Sequence, residues 1–279
     1  MKVLVVGLGL IGASYAKGLS EKGYEVFGVD NNNEVTKFAM ESGYVLDASI
    51  YPDDFISEVD MIVLSIYPND IVPFVARYQH LFKKGLVITD TCGVKEEICV
   101  KCRELAHPAT FIGSHPMAGR EKVGIRYADP NIFKGATYLV CPHQDDSTES
   151  IVKIKDMATA LGFGRIYEID PIHHDKMVAY TSELTHAIAI ALVNANRDKD
   201  TINFIGDSYR DLTRIAMINE GLWDQLFFKN KENLLNEINA FEEELDVIKR
   251  ALLEDNHDLL IEAFSSAKEK RGSLNWKKF

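Results

Sequence analysis

Val3-Leu4-Val5-Val6-Gly7-Leu8-Gly9-Leu10-Ile11-Gly12 decides the fold of this chain. An apolar run of strand type passes without interruption into three glycines in the order Gly-x-Gly-x-x-Gly. In that order the first glycine permits a tight turn out of a strand, the second lets a pyrophosphate approach the backbone, and the third lets the next helix lie close on the sheet. The context that the motif needs surrounds it, because residues 13–23 read as a helix and residues 24–29 as a second strand leading into Asp30. Gly7, Gly9, Leu10, Ile11 and Gly12 are therefore the expected pyrophosphate turn, with the amides of a helix N-terminus aimed at the phosphates. Asp30 stands about where a carboxylate takes the ribose 2′-hydroxyl. It would repel a 2′-phosphate, and Asn31, Asn32 and Asn33 supply no cation to hold one, so the expected cofactor is NAD rather than NADP.

The 279 residues give room for one large or two medium domains. Hydrophobic residues at 46% and charged residues at 26% are those of a globular protein, and the net charge of −11 disfavours nucleic acid and anionic membranes as partners. An anionic protein that takes an anionic substrate must gather positive charge locally, which makes cations in a cleft informative. No apolar run is long enough to span a bilayer, and the first strand begins where a signal peptide would need its charged and apolar regions, so a cytoplasmic protein is expected. Cys92, Cys99, Cys102 and Cys141 form no disulfide framework in a chain of this length. Cys99-Val-Lys-Cys102 has a metal-like spacing, but no second pair follows, and on a helix it places two small apolar side chains on one face. No metal site is expected.

Strands and helices alternate as far as residue 169. Residues 33–42, 69–80, 94–106 and 148–161 read as helices, and residues 44–48, 61–66, 86–90, 110–114, 137–141 and 165–169 as strands. The alternation predicts a Rossmann-type α/β domain, residues 1–169, with a parallel sheet covered on both faces. The pattern changes at Asp170-Pro171. Beyond it apolar residues recur at helical spacing, as in Leu184, Ile188, Ala191 and Leu192, then Leu234, Ile238, Phe241, Leu245 and Ile248, so residues 170–279 are predicted to be an all-α domain. Residues 187–193 are apolar all round and should be buried in a bundle or across a subunit interface, which makes a homodimer through this half the natural expectation. The basic tail, residues 268–279, is expected to fray.

Ligands of open α/β sheets bind beyond the carboxyl ends of the strands. Three segments leave strands at that edge: Ser65-Ile66-Tyr67-Pro68, Asp90-Thr91-Cys92-Gly93-Val94-Lys95 and Ser114-His115-Pro116-Met117-Ala118-Gly119-Arg120-Glu121. His115, at a strand end and followed by proline, is placed for proton transfer near neutral pH. The helical half offers Asp207-Ser208-Tyr209-Arg210-Asp211-Leu212-Thr213-Arg214. On a helix Arg210 and Arg214 share a face, and Asp211 could orient one of them, giving either a carboxylate clamp or a solvated ion-pair helix. His186 lies in the apolar helix and either finds a partner in the core or faces a ligand cleft.

These residues resemble the prephenate dehydrogenases and the related arogenate dehydrogenases of tyrosine biosynthesis. The resemblance runs from Gly7-Leu-Gly-Leu-Ile-Gly12 through Gly113-Ser-His-Pro-Met-Ala-Gly119 to Arg210-Asp-Leu-Thr-Arg-Ile-Ala216 and Trp223. It implies NAD-dependent oxidative decarboxylation of prephenate to 4-hydroxyphenylpyruvate, with arogenate as the alternative substrate. It also implies a homodimer made through the helical domain and an active site between the domains. By resemblance His115 is the catalytic histidine that takes the hydrogen bond of the substrate 4-hydroxyl. Arg214 binds a carboxylate, with Asp211 and Glu121 in the surrounding ionic network. His186 is a second substrate-side histidine, and Trp223 lines or gates the cleft. Ser65, Tyr67, Cys92 and Gly93 fall on the cofactor side.

Two departures stand out. Many relatives have Gly-Ser-Val-Lys where this chain has Cys92-Gly93-Val94-Lys95, so a hydroxyl that helps position histidine and cofactor is missing, and a backbone amide, a water or Cys92 must replace it. Arg120 stands where a small hydroxyl residue is common. There it adds a cation expected near His115, which would favour the neutral imidazole, and a further candidate substrate contact. The appended regulatory domain of some relatives is absent from this sequence, so tyrosine inhibition is expected at the active site itself. Two rivals bear on the same fold. A β-hydroxyacid dehydrogenase would use a lysine on the long interdomain helix, where this chain has His186 and no lysine between Met177 and Asn196. A non-catalytic NAD-binding regulator would need neither His115 nor Arg214.

Overall fold

A computed structural model of the chain describes residues 1–274. Its first half is built on strands β1 (Lys2–Val6), β2 (Glu25–Val29), β3 (Asp47–Ser49), β4 (Met61–Leu64), β5 (Val87–Asp90) and β6 (Thr110–Phe111). These pair in the order β3-β2-β1-β4-β5-β6, all parallel. Side chains alternate across the sheet. Val3, Val5 and Val63 face one apolar layer, with helices α1 (Leu10–Glu21) and α5 (Thr148–Leu161). Leu4, Val6, Ile62 and Leu64 face the other, with α3 (Pro68–Tyr78) and α4 (Glu96–Ala106). A short α2 (Asn33–Glu41), capped by the Asn32 side chain, connects β2 to β3. Cys99 and Cys102 lie in the second layer as two buried apolar side chains. Strand order reverses between β1 and β4, which puts the ends of these two strands at the crevice where such sheets bind ligands.

The sequence predicted one strand over residues 110–114 and two later strands completing the domain, without placing them in a separate sheet. The structure divides that strand at Ile112. Strand β7 (Gly113–Pro116) leaves the parallel sheet and pairs antiparallel with β8 (Thr137–Cys141), which pairs parallel with β9 (Arg165–Glu168) in a separate three-stranded sheet. The cause is local. A Cβ at Gly113 would lie 2.5 Å from Cys99 Sγ, so glycine lets the backbone press against α4 as it turns. Ser114 then secures the turn, its N–H donating to Asp90 Oδ1 at 3.1 Å and its hydroxyl to the Asp90 carbonyl at 2.6 Å.

From Pro171 onward the described residues form helices and their connections, with no strand among them. Asp170 caps α6 (Pro171–Val178) by accepting from the amides of Ile172 and His173, and a π-helical turn, Ala179–Glu183, leads into α7 (Leu184–Asn194). Next come α8 (Asp207–Thr213), α9 (Glu220–Lys229), α10 (Lys231–Leu253) and α11 (His257–Ser273). Helix α11 continues through residues 268–273, where fraying was expected, and the rest of that tail, residues 275–279, lies outside the described residues. The apolar stretch of α7 is not enclosed by its own chain either, since Leu192 and Val193 remain 37% and 38% exposed. Phe241, Leu245 and Ile248 on α10, part of the apolar series at helical spacing, are exposed as well. Among the described residues no helix is long and apolar enough to cross a membrane.

Candidate active site

The glycine turn has the shape that its spacing implies. Gly7 has φ +87°, and a Cβ there would lie 2.3 Å from the Ser65 carbonyl oxygen, so β1 and β4 meet at a point only glycine allows. A Cβ at Gly12 would lie 1.8 Å from the Gly7 carbonyl oxygen, whereas at Gly9 nothing stands within 4 Å. The open side of Gly9 and the start of α1 at Leu10 and Ile11, which has no side-chain cap and no acid in its first turn, leave a cradle for a phosphate. Asp30 closes it. Its Oδ2 accepts from the Leu8 amide at 2.9 Å and its Oδ1 from the Asn32 amide at 3.0 Å, which holds the carboxylate against the turn. These residues fit a dinucleotide whose ribose hydroxyls meet Asp30.

The other cofactor-side residues lie at the same edge. Ser65 Oγ accepts from the Thr91 hydroxyl at 3.2 Å. Tyr67 precedes α3, and its hydroxyl accepts from Asn219 Nδ2 at 3.0 Å, a contact between the two halves of the chain. Cys92 does not supply a free hydrogen-bonding side chain. Its thiol packs in the apolar layer beneath the sheet, burial pushes it up to about 12, and its amide donates to Asp90 Oδ2 at 3.0 Å. Gly93 lies under the site, where a Cβ would be 3.9 Å from His115 Cε1 and 3.2 Å from Leu226 Cδ2 of α9.

His115 stands on β7, partly buried, with Nδ1 3.0 Å from His174 Nε2. His174 is fully buried, and its Nδ1 lies 2.7 Å from Asp175 Oδ1. Asp175 in turn accepts from the amides of Lys95 at 2.7 Å and Glu96 at 2.9 Å, at the start of α4. Lys95 is fully buried and paired with the equally buried Asp90. Burial, then the neighbouring His174, then the Lys95 charge hold His115 well below the ordinary histidine range. Burial also lowers His174, against the pull of Asp175. The cation felt at His115 is thus Lys95. Arg120, expected in that role, is turned to the surface and paired with Asp129 at 2.9 Å, because the acid two residues ahead of Asn131 offers it a carboxylate there.

On the helical side, Trp223 of α9 stacks on the His186 ring, with centroids 3.7 Å apart and planes at 30°. His186 Nδ1–H donates to the Ser182 carbonyl at 2.8 Å, so its other ring nitrogen is left as an acceptor. Arg214 pairs with Glu121 from the loop after β7, and both charges reach His186, whose own proton affinity is lowered chiefly by burial. Leu226, one turn beyond Trp223, packs over Gly93 beside His115, so α9 joins the two groups. Arg210 and Asp211 depart from expectation. Helix α8 ends at Thr213, so Arg214 begins a new 3₁₀ turn instead of sharing a helical face with Arg210. Arg210 pairs with Asp207 at 2.9 Å on the exposed side, and exposed Asp211 takes part in neither arginine pair.

The arrangement offers a desolvated, neutral imidazole at a sheet edge, a guanidinium paired with Glu121 of the loop that follows the same strand, and a dinucleotide cradle at the same edge. The model of the prephenate dehydrogenase nucleotide-binding domain matches residues 15–167, and that of the prephenate dehydrogenase dimerization domain matches residues 170–266. The chain belongs to the prephenate dehydrogenase family. Among members of this family, the prephenate dehydrogenase of Bacillus subtilis is 27% identical over 98% of this chain and 76% of its own length. The solved prephenate dehydrogenase of A. aeolicus, in complex with hydroxyphenyl propionate and NAD+, has a TM-score of 0.89 at 26% identity, covering 99% of this chain and 98% of the other. Synechocystis arogenate dehydrogenase has a TM-score of 0.83 at 27% identity, covering 98% and 99%.

His174, Asp175 and Lys95 were not singled out from the sequence. The available signal was Ile172-His173-His174-Asp175, a histidine–carboxylate pair in the first turns of the helix that follows the change of pattern.

Proposed function

We propose that this chain is an NAD-dependent prephenate dehydrogenase, and that His115 carries the reaction. Its Nδ1 is occupied by His174, which leaves Nε2 to meet the substrate, and its low proton affinity keeps it neutral near pH 7. The chemistry asks for such a group. As C4 of prephenate gives up its hydride, the 4-hydroxyl must give up its proton, and His115 Nε2 receives it. Bound NAD+ supplies the hydride acceptor. The ring carboxylate then leaves as carbon dioxide, its bonding electrons complete the aromatic ring, and 4-hydroxyphenylpyruvate results.

Gly7, Gly9 and Gly12 hold the dinucleotide close to the backbone, and Asp30 accepts from its ribose. Arg214 takes a substrate carboxylate in exchange for Glu121, and His186 and Trp223 form the wall beside it. Tyrosine, a phenol with a carboxylate, competes for the same two groups in this reading. With a nicotinamide cofactor and unpaired cysteines, the enzyme is read as cytoplasmic.

The active form is read as a homodimer. Leu192 and Val193 of α7, with Phe241, Leu245 and Ile248 of α10, are the apolar side chains that a second copy would cover. Sedimentation equilibrium should give twice the chain mass, and a monomer would contradict this part. The activity is tested by steady-state rates with prephenate or arogenate, each with NAD+ or NADP+. Turnover is expected with prephenate and NAD+. Turnover confined to arogenate or to NADP+, or none at all, would overturn the reading.

A further inference from the structure

We infer that His174 and Asp175 are a positioning dyad, supplied by α6, that fixes the ring orientation and tautomer of His115. The inference rests on the reading of His115 as proton acceptor, and its argument is one of donors and acceptors. Asp175 is committed as an acceptor at both oxygens, Oδ1 to the Lys95 amide at 2.7 Å and Oδ2 to the Glu96 amide at 2.9 Å. His174 Nδ1, 2.7 Å from Oδ1, must therefore carry the hydrogen and donate it. A neutral imidazole protonated at Nδ1 has a bare Nε2, and that atom lies 3.0 Å from His115 Nδ1. His115 Nδ1 must then be the donor of this bond. The lone pair of the catalytic histidine is left on Nε2, the atom that points away from the dyad.

Helix capping accounts for Asp175 but not for His174. His174 has no exposed surface, and its two ring nitrogens are spent on Asp175 and His115. A buried imidazole with this pairing joins the α4 N-terminus to the sheet-edge histidine and serves no other partner. The loop from Asp90 to Lys95 cannot hold His115 by a side chain instead, because the position beside the ring is Gly93. The residue that orients the acceptor thus comes from the far side of Asp170, and the correct tautomer depends on α6 being docked on α4.

Three substitutions separate positioning from packing. Asp175→Ala removes the acceptor of the His174 Nδ1 hydrogen, so neither ring is held in a single tautomer. His174→Gln keeps the polarity, with its carbonyl accepting from His115 and its amide donating to Asp175. His174→Leu keeps bulk alone. With prephenate and NAD+, Asp175→Ala and His174→Leu are expected to lose about 10²–10⁴-fold in kcat with KM changed less than about threefold. His174→Gln is expected to stay within about tenfold of the parent. Equal losses for Gln and Leu, or a parent-like kcat in His174→Leu, would overturn the dyad. Nitrogen-15 NMR of histidine-labelled parent protein reads the tautomers without turnover: His115 and His174 should both be protonated at Nδ1, and a bare Nδ1 on His115 would overturn the inference. A parent enzyme inactive on prephenate would sink the functional reading, while the spectrum would still judge the dyad.

Discussion

Lys95 and Asp90 form an ion pair with both side chains wholly withdrawn from solvent, near enough to His115 for the lysine charge to reach its ring. Burial opposes the Lys95 charge, yet Asp90 more than offsets it and holds the ammonium above the ordinary lysine range. Asp90 also receives the amides of Cys92 and Ser114, so one carboxylate ties the cofactor-side loop to the strand that carries His115. Lys95→Met leaves that carboxylate buried and uncompensated. The expected cost is about 3–5 kcal/mol of stability, measured by denaturant unfolding. A loss below about 1 kcal/mol would mean that water relieves the charge.

Glu183 gives the fold a pH dependence of its own. It is 1% exposed, one oxygen accepts from Asn230 Nδ2 at 2.8 Å, and the other has no partner. Burial, helped by nearby Asp175 and opposed by Asn230, pushes it up to about 8. Its folded value exceeds the unfolded one of about 4.3, so between these pH values the native state holds a proton that the unfolded chain has released. Stability should fall as pH rises through that window. Glu183→Gln removes the slope, and it is expected to exceed the parent by about 1–3 kcal/mol at pH 8, with the gap closing toward pH 5. Parallel stability curves for the two proteins would refute this origin.

Arg214 and Arg210 should behave differently although four positions apart. Arg214 reaches His186 and pairs with Glu121, while Arg210 is engaged with Asp207 away from that group. Arg214→Ala should raise the KM for prephenate by about 10–100-fold, the worth of a charged hydrogen bond to a carboxylate, and change kcat little. Arg210→Ala should move KM by less than about twofold. The reverse order would place the carboxylate site on α8.

The acid limb of the rate profile follows from the environment of His115. Protonation removes the acceptor, so activity is lost as pH falls through its ionisation, and burial with His174 and Lys95 sets that point well below the ordinary histidine value. kcat/KM is expected to hold level from about pH 8 to below about pH 6.5. A midpoint at or above the ordinary value would show a solvated imidazole.

The sequence conveyed what depends on local pattern. Val3 to Gly12 specified the turn, because close approach of backbones at Gly7 and Gly12 admits no side chain, and the alternation of strand and helix specified the parallel sheet. His115 was readable from its place at a strand end. What depended on long-range partners was not. The split at Ile112 requires knowing that Gly113 presses on Cys99, and the partner of Arg120 is a surface acid that only the folded loop brings near, whereas Arg210 pairs with Asp207 at i,i+3 on one helix, the ion-pair alternative the sequence itself offered. His174 could be seen in the sequence only as half of a histidine–carboxylate pair, because its other partner, His115, is 59 residues away.

Replacement of His115 by asparagine tests the central claim most directly. Asparagine keeps polarity and approximate size but cannot take a proton, so steady-state rates with prephenate and NAD+ should show kcat reduced by about two to four orders of magnitude, with KM for prephenate within a few-fold of the parent. A kcat equal to that of the parent would contradict the assignment of His115 as the group that receives the hydroxyl proton.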